Sequence, residues 1–366
     1  MVLKHLQHQS QLIRTLLQGG SMTKVYFRTF HDFQFRAAID ISKHSYAIFC
    51  VDQTTGEIFE ENRSEKDFLE FFRMKSKSVI AMEACATSKY WARRLSELNH
   101  EVLLLPPKKC KPFVDGCKSD RNDARGIYRS MESVRPSPRP ITLELQQIDT
   151  LVALRKFVVK EYVSYTNALR SHLAEYGKAM PKTIKGFENN ASICINELEQ
   201  EGLGAFLIQR LRDMLARYKD LRREEAEYSR EINRLTKESR LGQLLRTIPG
   251  VGAIVAACAL PMLSDPKAFA NGREFAAFLG LVPSHTGTGG RTINGKITKR
   301  GDRYLRAMLV QGAMAALRQK VKAPWLERLI SREPARKKVA VALAARIARV
   351  MWAIANTNQP FELRML

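Results

Sequence analysis

Short apolar runs separated by turn residues fill the first third of the chain. Each run has the length and the β-branched or aromatic content typical of a buried strand. The predicted strands cover residues 35–41, 45–51, a segment around Ile58, 78–82 and 101–105. Apolar positions at helical spacing predict helices over 65–74 and 89–98, and a third that begins at Asp120. Strands that first follow one another and then alternate with helices indicate an α/β domain with a mixed sheet over residues 35–140.

The periodicity changes after residue 140, where no strand pattern appears before residue 240. Apolar residues at helical spacing form two faces, Leu151, Leu154, Phe157, Val158 and Tyr162 on the first and Leu207, Leu211, Leu215, Tyr218 and Leu221 on the second. Residues 141–240 therefore predict long helices of a coiled coil or helical hairpin that bends near 182–190. Such helices either assemble chains or form a solvated hairpin. Residues 1–34 form an N-terminal extension, and 241–366 a mainly helical C-terminal domain.

The charge balance narrows the choice of partners. Lys and Arg number 60 against 37 Asp and Glu, which gives a formal net charge of +23. Such an excess favours an anionic partner, above all nucleic acid, although a merely basic protein has the same composition. The most apolar late stretch is interrupted by Arg346 and Arg349, so no membrane span is predicted. We expect a cytoplasmic, nucleoid-associated protein without a membrane partner.

Four carboxylates lie where the predicted strands and helices begin or end. Asp40 interrupts an apolar strand, Glu83 ends another, and Asp120 and Asp123 share one helix face at i, i+3 spacing. A buried carboxylate is costly unless it is paired or coordinates a metal. Oxygen ligands alone favour Mg²⁺, or Mn²⁺, over zinc. The acids therefore predict a magnesium site, unless Asp120 and Asp123 only cap a helix and Asp40 pairs with an arginine.

Basic residues and glycines offer phosphate contacts. Lys118, Arg121 and Arg125 flank the helix acids and suit a phosphate-binding surround, or belong to a solvated charge run. The segment Pro249-Gly250-Val251-Gly252 is similar to the turn of a helix–hairpin–helix element, whose backbone amides bind DNA phosphate. Gly250 and Gly252 are the candidate contacts, and a plain turn between helices is the alternative.

A Gly/Thr-rich segment between residues 278 and 299 predicts a flexible loop. It carries small hydroxyl side chains and lies beside Lys299, Arg300 and Arg303. Such a hydroxyl can attack a DNA phosphate as a nucleophile. It can equally clamp a phosphate without any chemistry, and the residues alone favour the clamp.

Six motifs in a fixed order carry a resemblance to a known family. They are Ala-Ile-Asp40-Ile, Met-Glu83-Ala-Cys, Lys-Ser-Asp120-Arg-Asn-Asp123-Ala-Arg, Ile-Pro-Gly-Val-Gly252, Phe-Leu-Gly-Leu-Val-Pro283 and Ile-Thr-Lys-Arg-Gly-Asp302. Together they resemble the DEDD transposases of the insertion-sequence 110 family, to which the pilin-gene inverting recombinases belong. Segments around Tyr90-Trp91 and Arg303 resemble especially the subgroup that inserts at attachment-site or short-repeat targets. The likeness runs from about residue 35 to about residue 360.

The resemblance implies a fold and a reaction. It implies an RNase H-like N-terminal domain whose acids Asp40, Glu83, Asp120 and Asp123 bind Mg²⁺. It also implies a coiled-coil middle that assembles a homodimer or homotetramer, and a C-terminal domain that supplies a serine nucleophile to a composite site. Members are guided by a structured non-coding RNA that pairs with donor and target DNA. Strand exchange then passes through a covalent 5′-phosphoserine and a Holliday junction.

The chain departs from that pattern at the nucleophile. The position that matches the family serine, five residues past Pro283, is Thr288. Threonine can attack phosphate, but its β-branch restricts χ1. Ser284 or Thr286 can substitute through a loop shift, or the copy is decayed or only cleaves. Two other functions stay open, a junction-resolving or RNA-cutting nuclease that activates water, and a nucleic-acid scaffold whose acids are structural.

Overall fold

A computed structural model describes most of the chain as two compact units, residues 1–139 and 140–366. The described residues are 30, 32–42, 45–136, 142–288, 291–319 and 323–365. Most of the predicted N-terminal extension, residues 1–29, lies outside them. Phe30, also assigned to that extension, is 6% exposed and packs in the core of the first unit.

A five-stranded mixed sheet forms the centre of the first unit. Its strands are β1 Phe35–Ile41, β2 Tyr46–Asp52, β3 Ile58–Arg63, β4 Ser78–Glu83 and β5 Glu101–Leu105. They lie side by side in the order β3-β2-β1-β4-β5. β2 runs antiparallel to β1 and β3, whereas β4 runs parallel to β1 and β5. The predicted mixed sheet is confirmed, and its layout fits an RNase H-like domain.

Helices cover both faces of this sheet. They are α1 Glu65–Arg73, α2 Ser88–Glu97, the short α3 Pro107–Cys110 and α4 Asp120–Ser130. Side chains of a strand alternate between faces, so Ile39 packs in the core that contains Phe68 of α1 and Trp91 of α2. Ala38 faces the opposite core, which contains Ile127 of α4. Asp40 and Glu83 lie on this second face, and Asp120 and Asp123 belong to the helix that covers it.

Three helices begin the second unit. They are α5 Leu143–Glu175, α6 Ile184–Gln200 and α7 Ala205–Glu238. α5 and α7 run antiparallel, because Arg155 bonds to Glu225 while the rings of Tyr162 and Tyr218 lie 6.2 Å apart. The bend expected near residues 182–190 contains the start of a whole helix, α6. Its residues Phe187 and Ile195 fill the core between α5 and α7.

The buried face of α5 differs in part from the predicted one. Val158 and Tyr162 are buried as expected, but Leu154 and Phe157 are 43% and 59% exposed. The buried residues are Ile148, Val152, Val158, Tyr162, Thr166, Leu169 and Leu173, which lie three or four positions apart except for the gap of six between Val152 and Val158. Long helices hold more apolar residues than one partner can cover, so local periodicity alone does not select the face.

The rest of the second unit consists of helices and one hairpin. They are α8 Arg240–Leu245, α9 Ala253–Leu263, α10 Gly272–Phe278, β6 Pro283–Thr288, β7 Arg291–Ile297, α11 Arg303–Arg318, α12 Pro324–Arg332 and α13 Arg336–Thr357. The prediction of a flexible loop in the Gly/Thr-rich segment was wrong, because β6 and β7 pair as antiparallel strands. Residues 289–290 lie outside the described residues.

Helix α13 is long and apolar enough to cross a membrane by length and composition. However, 56% of its most apolar window is buried inside the protein. The helix packs against α10 and α11, with Leu343, Ala344 and Met351 fully covered. Its apolar character is therefore accounted for by the core of the second unit.

Candidate active site

Strand register brings the first two acids together. β1 and β4 are parallel, and Ile39 is paired with Met82, so the next residues, Asp40 and Glu83, lie side by side. Alternation along each strand puts both on the sheet face of Ala38, which is the face that α4 covers. Two carboxylates thus share the carboxyl end of neighbouring parallel strands.

The other two acids lie in the first turn of α4. Ser119 caps this helix by accepting a hydrogen bond from the amide of Asn122. Asp120 and Asp123 follow the cap directly. Negative charge is favourable at a helix N-terminus, because the free amide groups and the helix dipole are positive there. The start of α4 therefore tolerates two acidic side chains even though the carboxylates of Asp40 and Glu83 are nearby.

The pKa values show that the four acids interact. The pKa of Asp40 is raised to about 6, first by burial and then by the negative charges of Asp123, Asp120 and Glu83. The pKa of Glu83 is also raised, by burial and by the charge of Asp123. A shift from neighbouring charges requires that they be close in space. The structure therefore places all four acids near enough to influence one another's charge, although not as one compact cluster.

The donor set fits a hard divalent cation, since it consists of carboxylate oxygens whose repulsion a cation would relieve. The side chains nevertheless stay apart. Across the described segments of the chain, no three His, Cys, Asp or Glu side chains are grouped closely enough to hold one metal ion. Binding a cation would therefore draw these carboxylates closer together than they are here.

The predicted basic surround is partly neutralised. Both Arg125 and Arg121 approach Glu60 of β3, Arg125 through two hydrogen bonds and Arg121 with 3.9 Å between its Nε and the carboxylate. These contacts lower the pKa of Glu60. Lys118 is exposed and forms no ion pair with a described carboxylate. Of the three predicted phosphate contacts in this unit, Lys118 is the freest.

The two glycines of the Pro-Gly-Val-Gly turn have different surroundings. Gly250 has a φ of +86°, and a Cβ there would collide with the carbonyl oxygen of Gly312 in α11. Its lack of a side chain is thus needed for close packing between the turn and α11. Gly252 precedes α9 as its cap and has no atom near the position of a Cβ. Of the two glycines, Gly252 is the one with open space beside its Cα.

The hydroxyl residues lie on strand β6. The Ser284 hydroxyl donates a hydrogen bond of 3.1 Å to the carbonyl of Lys296. Thr286 is exposed and is paired with Ile293. The backbone of Thr288 is paired with Arg291 at the last described position of β6. The nucleophile predicted from the family pattern thus lies at the tip of a hairpin, in the second unit.

The Lys-Arg-Gly-Asp motif combines structural and free residues. Asp302 caps α11 by accepting a hydrogen bond from the amide of Leu305, and Arg306 donates to the carbonyls of Leu279 and Arg300. These contacts hold the segment against the end of α10. The two cations of the motif, Lys299 and Arg300, and Arg303 directly after it are exposed and form no ion pair with a described carboxylate. Their side chains are therefore available to bind a phosphate.

Sequence reasoning missed two features. Glu60 gave no signal, since its pairing with Arg125 spans 65 residues of chain. A cavity in the second unit lined by Arg273, Trp325 and Arg349 was also missed. Arg346 and Arg349 were noted only as interruptions of an apolar helix. Two arginines in such a helix are a signal of a charged opening in the core.

Comparison with known proteins places these features in a family. A family model described as transposase of the IS116/IS110/IS902 family matches residues 242–329. A second model, for transposases of the DEDD type in the IS110 group, matches residues 37–178. The second match contains all four acids, and the first contains the Gly252 turn, the hairpin and the Lys-Arg-Gly-Asp motif.

Whole-length relatives agree with these matches. The chain is 32% identical to a protein of Pseudomonas aeruginosa named "Probable family 20 transposase", over 87% of this chain and 96% of the relative. It is 31% identical to the transposase for insertion sequence element IS1328 of Yersinia enterocolitica, over 88% and 97% of the two chains. A pilin gene-inverting protein of Moraxella lacunata is 25% identical over 33% of this chain and 39% of its own.

The raised pKa of Asp40 predicts a pH-dependent stability. Its ordinary value is 3.8 and its folded value about 6, so the folded protein holds this proton more tightly than the unfolded chain. Stability is therefore lost as the pH rises from about 4 to about 6. We expect Asp40→Asn to raise the melting temperature by a few degrees at about pH 7.5 with a chelator present, and to leave it unchanged at about pH 4.

A suitable control is Asp115→Asn, because Asp115 is exposed in the same unit and pairs with Arg129. That variant should gain no stability at the higher pH. Thermal melting followed by circular dichroism measures both variants. An equal effect of Asp40→Asn at the two pH values would contradict the assigned repulsion.

Proposed function

Because the chain belongs to the IS116/IS110/IS902 family of transposases, we propose that it cuts and exchanges DNA strands at the carboxylate cluster of its first unit. The chain is thus a DNA-recombining enzyme of an insertion sequence. The observation that supports the proposed site is the strand register that puts Asp40 beside Glu83, together with the repulsion that Asp40 experiences from Glu83, Asp120 and Asp123. A protein gains nothing in stability from such repulsion, so a functional reason supports its presence.

The four acids would hold Mg²⁺, or Mn²⁺ in its place. Divalent ions bound by carboxylates stabilise the attacking and leaving oxygens of a phosphodiester. Asp40, with its pKa near 6, would give up its proton more readily once a cation neutralises its neighbours. Lys118 and Arg121, beside the acids, would contact the DNA phosphates. Arg125 would first have to leave Glu60.

The second unit would supply the nucleophile and further phosphate contacts. We assign the nucleophile to Thr288. Its oxygen would bond to phosphorus as the bond from phosphorus to the 3′ oxygen breaks, and the hydroxyl proton would pass through solvent to the leaving 3′ oxygen. A 5′-phosphothreonine and a free 3′-hydroxyl result. Lys299, Arg300, Arg303 and the open backbone of Gly252 would hold the strand.

The metal proposal predicts loss of cleavage when an acid is neutralised. Asp40→Asn and Asp123→Asn should each lower the rate of strand cleavage by about 10³-fold, because several kcal/mol of charge stabilisation are lost. The matched control is Glu97→Gln, since Glu97 is an exposed acid of the same unit that pairs with Arg94. Cleavage of labelled element-end DNA, with and without Mg²⁺, measures the rates. Full activity of either acid variant would contradict the proposed metal site.

The nucleophile proposal predicts the fate of the protein–DNA adduct. Thr288→Ala should abolish the covalent adduct, whereas Ser284→Ala and Thr286→Ala should keep it. Denaturing gels of protein mixed with labelled DNA measure the adduct directly. An adduct that persists in Thr288→Ala and disappears in one of the other variants would move the nucleophile to that residue.

The same pair of experiments separates the remaining alternative functions. Metal-dependent cleavage without any adduct would favour a junction-resolving nuclease that activates water with the same acids. The threonine at the nucleophile position is the observation that keeps this alternative in view, because its β-branch hinders attack. No cleavage under any condition would favour a nucleic-acid scaffold.

We further propose a non-coding guide RNA and a homodimer or homotetramer as partners, in the cytoplasm at the nucleoid. The RNA rests on the family resemblance. The exposed apolar side chains Leu154 and Phe157 on α5 support assembly through the long helices. Protein expressed with its flanking DNA should copurify with one discrete structured RNA, found by sequencing, in a particle of two or four chains by light scattering. Random cellular RNA on a monomer would contradict both partners.

A further inference from the structure

A cavity of about 870 Å³ opens in the second unit between α10, α12, α13 and the base of the β6–β7 hairpin. Its size lies in the range of ligand-binding clefts. None of the predicted site residues lines it. Two kinds of side chain do, a set of apolar residues and a set of cations.

Most of the cations that line this cavity have no counter-charge. Arg273, Lys296, Lys337 and Arg349 form no ion pair with any carboxylate in the described part of the chain. Only Lys338 has an acidic partner, Glu333, at 3.2 Å. Unneutralised cations gathered around one opening attract an anion, and the attraction is stronger where the walls exclude water.

Close backbone packing between α10 and α13 holds Arg273 and Arg349 near each other. Gly272 lies against the backbone of Arg349, with the place of a Cβ 2.8 Å from its carbonyl oxygen. This close approach of α10 to α13 puts Arg273 beside Arg349. Burial, and then the charges of Arg346 and Arg273, lower the pKa of Arg349. The protein therefore maintains a repulsive cationic cluster that a bound anion would relieve.

The apolar part of the cavity suits a flat ring. Leu281, Val282, Ile297 and Val341 lie among its lining, and Trp325 forms part of the wall. The guanidinium of Arg346 lies 5.7 Å from the centre of the Trp325 ring and fixes it in place. Aromatic side chains beside cations are the arrangement with which proteins hold unpaired bases and their phosphates.

We propose that this cavity binds a short unpaired stretch of nucleic acid, with a base against Trp325 and the phosphodiester on the surrounding cations. This deepens the proposed function, since it names a contact for the nucleic acid of that reaction. The cavity adjoins Pro283, where the hairpin that ends at Thr288 begins. Binding here would hold a strand at the base of that hairpin.

An acidic peptide is the competing occupant, because it too carries negative charge and apolar groups. The net charge of +23 favours a polyanion. A helical peptide lays a row of apolar side chains along a groove, whereas the lining of this cavity combines one aromatic side chain with five cations. That geometry fits a single base flanked by phosphates better.

Trp325 provides the measurement, as one of only three tryptophans in the chain. We expect single-stranded oligonucleotides of about six nucleotides to quench its fluorescence in the full-length protein with a chelator present. Trp325→Phe should remove the quenching, because Trp91 is buried and Trp352 donates its indole hydrogen bond to Pro266. DNA and RNA of one sequence are compared, and tighter binding of either identifies the strand that occupies the cavity.

The salt dependence of the quenching tests the cations. Each phosphate contact to a single strand contributes about 0.7 to the slope of log K against log salt. The double variant Arg273→Gln with Lys337→Gln should therefore lower the slope by about 1.4. Lys160→Gln with Arg217→Gln removes the same charge from exposed positions on α5 and α7 and should leave the slope unchanged.

Three results would overturn the proposal. They are an unchanged slope in the first double variant, quenching that survives in Trp325→Phe, and quenching by an acidic amphipathic peptide but by neither oligonucleotide. The assay needs neither metal nor cleavage. Its outcome is thus separate from that of the acid and Thr288 variants, and either proposal can fail alone.

Discussion

The parallel pairing of β1 with β4 is the constraint on which the first unit depends. Its register places Asp40 beside Glu83, and a slip of one residue would turn Asp40 toward the aromatic core around Phe68. The neighbours on the acid face are small, and Ala38 and Ala81 are fully buried. Small side chains let α4 lie close to the sheet, so that the acids in its first turn are near enough to raise the pKa of Asp40.

This arrangement lowers stability where the chemistry is proposed. Burial and three like charges raise the pKa of Asp40, so above that pKa the folded state carries a carboxylate it does not favour. The sheet tolerates the cost because strands on both sides of Asp40 are well packed. Strain of this kind is commonly found where a protein must bind a cation or a reacting group.

A buried polar network has the corresponding role in the second unit. Arg155 of α5 donates to Ser229 and Glu225 of α7 and to Tyr304 of α11. Leaving a buried charge without its partner is strongly destabilising, so this arginine fixes the long helices against α11. The segment just before α11 contains the Lys-Arg-Gly-Asp motif. The predicted coiled-coil region and the C-terminal domain are therefore joined within one compact unit.

The predictions that the structure confirms are those that depend on short-range sequence patterns. Four strands of the first unit were predicted to within one residue because apolar runs and turns are short-range patterns, and six motifs in a fixed order identified the family. Three features depend on distant pairing instead. β6 and β7 are rich in Gly and Thr, a composition typical of loops. They form strands because residues such as Thr286 and Ile293 pair across the hairpin. The outward position of Phe157 and the bond between Arg125 and Glu60 also require knowledge of what packs nearby.

Ion pairing decides how the net charge of +23 can be used. In the first unit, Arg36, Arg125 and Arg129 are each paired with a carboxylate. Around the cavity of the second unit, most cations have no such partner. A paired arginine must give up its carboxylate before it binds a phosphate, whereas an unpaired one gains a partner. Net charge therefore predicts that this protein attracts a polyanion, and the distribution of unpaired cations indicates where the polyanion is bound most favourably.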